Sequence, residues 1–262
     1  MFRRSDHTFA VCAYKESPYL RECIESLVNQ SVKTNIIIAT STDNEYIRNI
    51  ADEYKIKLFV SDKPSSICGD WNFAYDNAPT KLVTLAHQDD VYEKNYARDM
   101  LEKINKAKNP LIYFTNYQEI RDGRKETGTM VKIKRIMLIP LKPKFASGWK
   151  FAKRLAIRMG NPVLCPSVTY VRAKMPNPLF ESDFRSNLDW EQWEKFSKKK
   201  GQFVYDKKVL TYHRVHEGSE TSNTINNGNI RAKEDYQMFL KFWPKCIAKF
   251  IMKFYIKAEK FN

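Results

Sequence analysis

Short runs that are apolar on nearly every residue, rather than on every second one, set what this chain can fold into. Residues 35–39 read Asn-Ile-Ile-Ile-Ala and residues 82–86 read Leu-Val-Thr-Leu-Ala. Such runs are too short for core helices and suit strands buried on both faces of a parallel sheet. Comparable runs stand at 8–13, 57–60 and 110–115. The stretches between them have helical spacing. Ser17-Pro18 opens the first, with proline in the first turn, and Leu20, Cys23, Ile24, Leu27 and Val28 share one face. Residues 43–54 carry the stripe Tyr46, Ile47, Ile50 and Ala51; residues 70–77 carry Trp71, Phe73 and Ala74; a further helix is expected over 94–106. Strands alternating with helices predict an α/β fold with a doubly wound, mostly parallel sheet.

The second half is less regular. Residues 124–160 form a basic connector, expected to be helical in parts and mobile. A strand is predicted over 163–171, and a helix over 188–200 with Trp190, Trp193 and Phe196 among its apolar positions. Short strands follow at 203–205 and 209–212, then a mainly helical 230–258 interrupted at Pro244. This divides the chain into a domain over 1–222 and a basic amphipathic helical tail over 223–262. Within the domain, 1–123 would be the nucleotide-binding half, 124–160 the connector and 161–222 the acceptor half. No G-x-G-x-x-G or Walker-type loop occurs, which argues against dinucleotide oxidoreductases and P-loop enzymes.

Charge is the strongest compositional signal, at +15 over 262 residues. It concentrates in 131–158, where Lys132, Lys134, Arg135, Lys142, Lys144, Lys150, Lys153, Arg154 and Arg158 occur without an acid. Ile136, Met137, Leu138, Ile139, Leu141, Phe145, Trp149, Phe151 and Leu155 are interleaved with them. In the tail, Lys245, Lys249, Lys253 and Lys257 recur every four residues and share one helical stripe. Basic and aromatic residues together, with no apolar run long enough to span a bilayer, predict adhesion to an anionic membrane surface. No RNA- or DNA-recognition motif is visible, so nucleic acid is not an expected partner. The N-terminal Met1-Phe-Arg-Arg-Ser-Asp-His7 lacks the apolar core of a signal peptide. The cysteines at 12, 23, 68, 165 and 246 form no Cys-x-x-Cys pair, so neither a zinc site nor a disulfide framework is indicated. The expected place is the cytoplasm, peripheral on the inner face of the plasma membrane. Oligomeric state leaves no mark in the sequence.

The chemistry is expected where strands end. The 82–86 run stops in His87-Gln88-Asp89-Asp90. That delivers two neighbouring carboxylates to the C-terminal edge of a strand, where open α/β sheets bind ligands. Adjacent carboxylates repel unless a cation screens them. Mg²⁺ takes one or two carboxylates together with phosphate oxygens, which suits Asp89 and Asp90; Asp90 as a helix cap is the plainer alternative. His216, in His213-Arg-Val-His216, is a third metal ligand or a phosphate donor, and Arg214 can grip a diphosphate. The end of the first strand, Ala13-Tyr14-Lys15-Glu16, offers a floor for a nucleotide, with Glu16 either holding ribose or base or favouring the helix dipole. Thr40, Ser41 and Asp43 close the second strand and either line the same pocket or, for Asp43, cap the next helix. Asp189, near the start of an aromatic-rich helix, is the candidate base; Glu191 is its rival but points about 200° away on a helix.

These segments together resemble family 2 glycosyltransferases of GT-A fold. Residues 9–30, through Ala13-Tyr14-Lys15-Glu16 to Ser26-Leu-Val-Asn-Gln30, are similar to the family's opening strand, Tyr/Phe-Asn-Glu and first helix. Gly69-Asp-Trp-Asn72-Phe-Ala74 resembles its Gly…Asn-x-Ala segment, and His87-Gln88-Asp89-Asp90-Val-Tyr its Asp-x-Asp-Asp element. Leu188-Asp189-Trp-Glu-Gln-Trp193 resembles the helix that bears the base, and Tyr212-His-Arg214-Val-His216 the Tyr-Arg-x-His element. The likeness spans about 8–222 and is of the bacterial cell-surface polysaccharide type. It implies a nucleoside-diphosphate sugar donor, Mg²⁺ or Mn²⁺, Asp89 as main metal ligand, Gln88 near the ribose, and Asp189 as base with inversion. Gly69 and Asn72 enter the donor-binding set on this likeness alone. Two departures stand out: Ala39-Thr40-Ser41 lacks the acid that reads uracil, and His87 replaces the first metal-motif Asp.

The resulting reading is an inverting, metal-dependent glycosyltransferase that moves sugar to a lipid-linked or polysaccharide acceptor in cell-surface glycan synthesis. The alternative is a non-catalytic basic module that binds acidic polymer or a membrane surface through 132–158.

Overall fold

The computed structural model describes residues 1–216 and 228–259, with side chains for 1–216 and 230–253. Glu217 to Thr221, the 222/223 boundary, and the side chains of Phe254, Tyr255 and Lys257 lie outside the described residues.

The first half follows the alternation. Strand β1 (His7–Ala13) sits between β2 (Asn35–Thr40) and β4 (Leu82–His87), parallel to both, and β3 (Lys57–Val60) adds to β2. Because side chains alternate along a strand, Phe9, Val11 and Ala13 pack on one face of the sheet and Ala10 on the other. The first face is covered by α1 (Leu20–Val28), α2 (Glu45–Glu53) and α4 (Tyr96–Lys106), through Leu20, Ile24, Ile47, Ile50, Met100 and Ile104. Helix α3 (Ile67–Asn77) lies on the second face with Ala74 and Tyr75. It begins three residues earlier than the apolar pattern predicts, because the Ser66 hydroxyl accepts the Gly69 N–H at 3.1 Å and caps it.

The second half turns the sheet mixed. A two-residue strand β5 (Val91–Tyr92) intervenes before α4, so Asp90 is not a helix cap. Strand β6 (Pro110–Arg121) doubles the predicted length and hairpins into β7 (Arg124–Glu126). The predicted 163–171 strand shortens to β8 (Thr169–Val171), since Pro166 starts a tight 3-10 turn at Cys165–Ser167. Strand β8 is antiparallel to both neighbours, β4 and β6. The two short strands expected at 203–205 and 209–212 are one, β9 (Gln202–Arg214), parallel to β6 with an irregularity between Asp206 and Val209. Overall the nine-stranded sheet runs β3-β2-β1-β4-β8-β6-β9-β5, with β7 on β6.

A buried polar chain stitches this centre together. His7 contacts Thr34 at 3.1 Å and Thr84 at 2.9 Å; Thr84 meets Thr169 at 2.6 Å; Tyr96 meets Thr169 at 2.9 Å and donates to the Ser167 carbonyl at 2.9 Å. Burial drives the His7 pKa down to about 3, so the imidazole stays neutral and serves the network as a neutral donor and acceptor.

The second core face is closed by Leu138, directly after α5 (Thr129–Met137), and by α6 (Lys150–Ile157) and α7 (Leu188–Ser197). The chain then continues as α8 (Gly228–Leu240) and α9 (Lys245–Glu259). These last helices pack into the same core through Met238, Phe239, Ala248 and Met252. Glu234 of α8 accepts the backbone N–H groups of Arg185 (2.8 Å), Ser186 (2.9 Å) and Asn187 (3.1 Å), and the Ser186 hydroxyl at 2.7 Å. Asp235 accepts the Asn187 amide at 2.7 Å. An anion on the first turn of α7 also complements that helix's dipole. No helix among the described residues is long and apolar enough to cross a membrane.

Glu234→Ala leaves these donors without an acceptor. The unfolding free energy should fall by about 3 kcal/mol, the scale for orphaned buried donors, as read by urea denaturation. An unchanged midpoint would show that α8 does not hold α7.

Candidate active site

The register of the sheet brings three strand ends to one rim. Ala13 of β1 pairs with Thr40 of β2, and Cys12 pairs with His87 of β4. Beyond the last ladder bond, Gln88 continues the pairing with its side chain. Its Oε1 accepts the Tyr14 N–H at 2.9 Å, and its Nε2 donates to the Tyr14 carbonyl at 3.0 Å. Lys15, with φ 52°, then turns the chain toward α1, and its N–H donates to Thr42 Oγ1 at 2.6 Å. Thr40 supports the same loop by accepting the Thr42 N–H at 3.0 Å. The Ser41 hydroxyl is buried at this rim with no protein partner. Glu16 is exposed at the mouth.

A tight turn, with the Asp90 N–H on the His87 carbonyl at 3.2 Å, joins β4 to β5 and carries the acidic pair. Asp90 is wholly buried. Its Oδ1 accepts the Arg214 N–H at 3.0 Å and the His213 Nδ1–H at 2.9 Å, both from the end of β9. Its Oδ2 has no partner, and neither has His87 Nε2. Ligand atoms of His87, Asp89 and Asp90 lie within 4.8 Å of one another. Two buried polar atoms without partners beside a third ligand are what a divalent cation would satisfy, so these residues fit the ion the motif calls for.

His87 is held by Trp71, stacked at 4.9 Å between ring centroids. Burial lowers its pKa, against the opposing pull of Asp90, Asp89 and Asp189. The imidazole is therefore neutral, the form that ligates metals. For His213 burial works the same way, but the Asp90 charge and hydrogen bond and the Asp89 charge outweigh it and raise the pKa.

The sequence reading places His216 as a third ligand or phosphate donor; the structure sets it beside Asp89 and adds His87, which that reading did not include, to the acidic pair. His216 Nε2 lies 3.2 Å from Asp89 Oδ2 and its ring packs 4.9 Å from Tyr19. Arg214 is similarly engaged: Nε donates to the Asp89 carbonyl at 3.1 Å, the guanidinium covers Tyr19 at 4.4 Å, and Nη2 pairs with Glu22. Its first task is to brace the turn.

Asp189 sits in the first turn of α7. Oδ1 accepts its neighbour's N–H, Trp190, at 2.7 Å, and Oδ2 accepts Asn161 Nδ2 at 2.7 Å. Burial raises its pKa; Asn161, the Trp190 N–H, Lys134 and Arg231 pull the other way without cancelling the rise. Its charge reaches His87, so base and metal candidates share one electrostatic neighbourhood. Glu191 faces elsewhere, toward Lys241 at 2.9 Å and Lys195 at 3.4 Å.

Three expected donor contacts have other partners. Asn72 clasps the Phe180 backbone, donating to its carbonyl and accepting its N–H, both at 2.8 Å. Gly69 belongs to the α3 cap, where an added Cβ would lie 2.7 Å from Ser66 Oγ. Asp43 pairs with Arg48, and the cap of α2 is Asn44, whose Oδ1 accepts the Ile47 N–H at 2.9 Å. Conversely, His87, His213, Trp71 and Asn161 matter here and were not among the expected site residues. Only His87 carried a signal, by standing in the metal motif's first position.

A family model described as Glycosyl transferase family 2 matches residues 8–175. No curated protein matches the chain. Among solved structures, S. aureus TarS 1–349 in complex with UDP-GlcNAc is similar, with TM-score 0.67 at 16% identity, over 94% of this chain and 70% of that one. The mannosyltransferase PcManGT from Pyrobaculum calidifontis, in complex with GDP-Man and Mn²⁺, has TM-score 0.64 at 12% identity, over 95% of this chain and 70% of that one. At such identities the likeness is one of fold.

Mn²⁺ titrated into the protein alone should raise its melting temperature. His87→Ala and Asp90→Asn should each remove that rise. Retention of the full rise in both variants would place the ion elsewhere.

Proposed function

Because the chain belongs to glycosyl transferase family 2, we propose that this GT-A-fold glycosyltransferase uses a nucleoside-diphosphate sugar and inverts the anomeric carbon. Sugar would pass to a hydroxyl of a lipid-linked or polysaccharide acceptor in cell-surface glycan synthesis, at the cytoplasmic face of the plasma membrane. The observation that carries the reading is the pairing of partnerless buried atoms, His87 Nε2 and Asp90 Oδ2, with a raised-pKa Asp189 in electrostatic reach. The nucleotide-sugar complexes of the two similar structures support the donor class. Family membership speaks against the non-catalytic alternative.

The nucleotide would lie on the rim between Tyr14 and Ser41. Gln88 fixes the Tyr14 backbone, and Ser41 offers its buried hydroxyl. Mg²⁺ or Mn²⁺ held by His87, Asp89 and Asp90 would offset charge developing on the departing diphosphate. His213 and the Arg214 N–H keep Asp90 oriented for that task. Asp189 removes the proton of the acceptor hydroxyl as it attacks. Asn161 and the Trp190 N–H hold its two oxygens in place. One base and a single displacement produce inversion; Glu191, turned toward lysines, is not placed to form a second covalent step.

A thermal-shift panel of nucleoside diphosphates with and without Mn²⁺ tests the donor. One nucleotide at a hundredfold excess over its Kd should add about 2.7 kcal/mol, or roughly 5–10 °C, only with the metal. No shift with any nucleotide would remove the reading. Asp189→Asn should cut turnover by about a hundredfold or more, and a wild-type rate would dismiss Asp189 as base. The pH profile carries a signed prediction. A base must be ionised, and burial holds the Asp189 pKa above the ordinary carboxylate value, so kcat/KM should fall on acidification at a higher pH than for an exposed aspartate. Asn161→Ala deletes a bond that favours the ionised form, so the acid limb should move further up. A shift to lower pH would contradict the assignment.

A further inference from the structure

The basic connector separates cleanly into inward and outward residues. Val131, Leu138, Leu141, Ala146, Ala152, Ala156 and Ile157 are buried in or beside the core. Facing out are Ile136 at 63% exposure, Ile139 at 48%, Phe145 at 71%, Trp149 at 57% and Phe151 at 72%. Large apolar side chains exposed together mark an interaction surface. Phe145 and Trp149 pack edge to face at 5.3 Å and form one projecting knob, with Phe151 exposed two residues further on. It is carried by the 3-10 turn at Ala146–Gly148 and the start of α6.

The charges also sort themselves. Lys134 is hydrogen-bonded to Tyr117, Lys153 is buried against the Lys199 and Gly201 carbonyls, and Arg154 pairs with Glu194. The lysines left facing out are Lys132, Lys142, Lys144 and Lys150, the last three flanking the knob, and no acid lies anywhere in 131–158.

We propose that Phe145, Trp149 and Phe151 insert into the interfacial layer of an anionic lipid bilayer while Lys142, Lys144 and Lys150 contact its headgroups. The proposal deepens the membrane-side reading above and rests on it only for its biological setting. An aromatic knob ringed by lysines matches the boundary between acyl chains and negative headgroups. A second copy of the chain is a poor occupant, because a two-fold interface would set these lysines against their equivalents.

The test uses the full chain with no donor or acceptor. In co-sedimentation with vesicles of phosphatidylglycerol in phosphatidylcholine, the protein should bind, and binding should weaken as salt rises. The triple variant F145S/W149S/F151S should lower the partition coefficient by about a hundredfold or more. K142Q/K144Q/K150Q should lower it by about a hundredfold on anionic vesicles and little on pure phosphatidylcholine. Bromolipids should quench a part of the tryptophan emission that W149F removes. Wild-type binding equal on both vesicle types, no binding at all, or unchanged binding by both triple variants would overturn the proposal. So would a concentration-dependent dimer that the aromatic variant abolishes while vesicle binding persists. All variants should keep the Mn²⁺-dependent nucleotide shift, which separates failure of the surface from failure of the donor site.

Discussion

A wholly buried carboxylate, Asp90, is the point on which the site hangs. A buried charge is costly unless its oxygens are matched by donors. Here the donors come from the far end of the chain: the His213 imidazole and the Arg214 N–H, on the last strand of the sheet. The turn after β4 and the end of β9 are thus fastened by one oxygen of a side chain. The other oxygen is left over, next to an equally unmatched His87 nitrogen. The candidate metal geometry therefore follows from the folding requirement: what the protein uses on one side of Asp90 defines what remains for a ligand on the other. Arg214, bracing Asp89 and Tyr19, is a second fastening of the same kind.

The surroundings of Asp189, the candidate base, are built in a comparable way. Asp189 lies in the first turn of α7, and that turn is held from outside by Glu234, which gathers backbone donors from three successive residues. The C-terminal helices reach the chemistry in this way without touching it. Their apolar residues Met238, Phe239 and Ala248 sit in the same core as the sheet. Burial that raises the Asp189 pKa and contacts that lower it come from different elements: Asn161 before β8, Lys134 on α5 and Arg231 on α8. The balance is set by the assembly of the whole second half rather than by one neighbour.

The first half of the fold was legible because its strands are apolar on both faces and its helices keep one stripe each. Residues 35–39 and 82–86 needed no tertiary information. The second half obeys a different rule. Residues 116–121 of β6 are mostly polar, with Tyr117 and Ile120 alone breaking the run, and β9 carries Asp206-Lys207-Lys208 in its middle, a cluster that resembles a turn until the pairing with β6 carries the strand through it. The connector hid its two faces because 3-10 turns reset the helical period between α5 and α6. At the site, the residues that end a strand were readable: Tyr14, Ser41, Gln88, Asp89 and Asp90. Those that act by reaching across the fold, Asn161 above all, leave no local mark, since what makes them matter is distance in sequence. Asn72 shows the converse, a motif residue whose amide holds the Phe180 backbone.

Strand β8 runs against both of its neighbours, and this has a consequence for how such a protein diversifies. It starts at Thr169, opposite Thr84 in the middle of β4, and ends away from the rim, where Val171 is opposite Leu82. The polypeptide must travel back over the surface before α7 can present Asp189. That return path leaves a 3-10 turn at Arg172–Lys174, is anchored midway at Phe180 by Asn72 and at Leu179 by Gln192, and is held at its end by Glu234. Residues gained or lost between these anchors would change where α7 holds Asp189 relative to the strand ends and leave every rung of the ladder intact, which makes this crossing a place where chain length can vary without cost to the sheet.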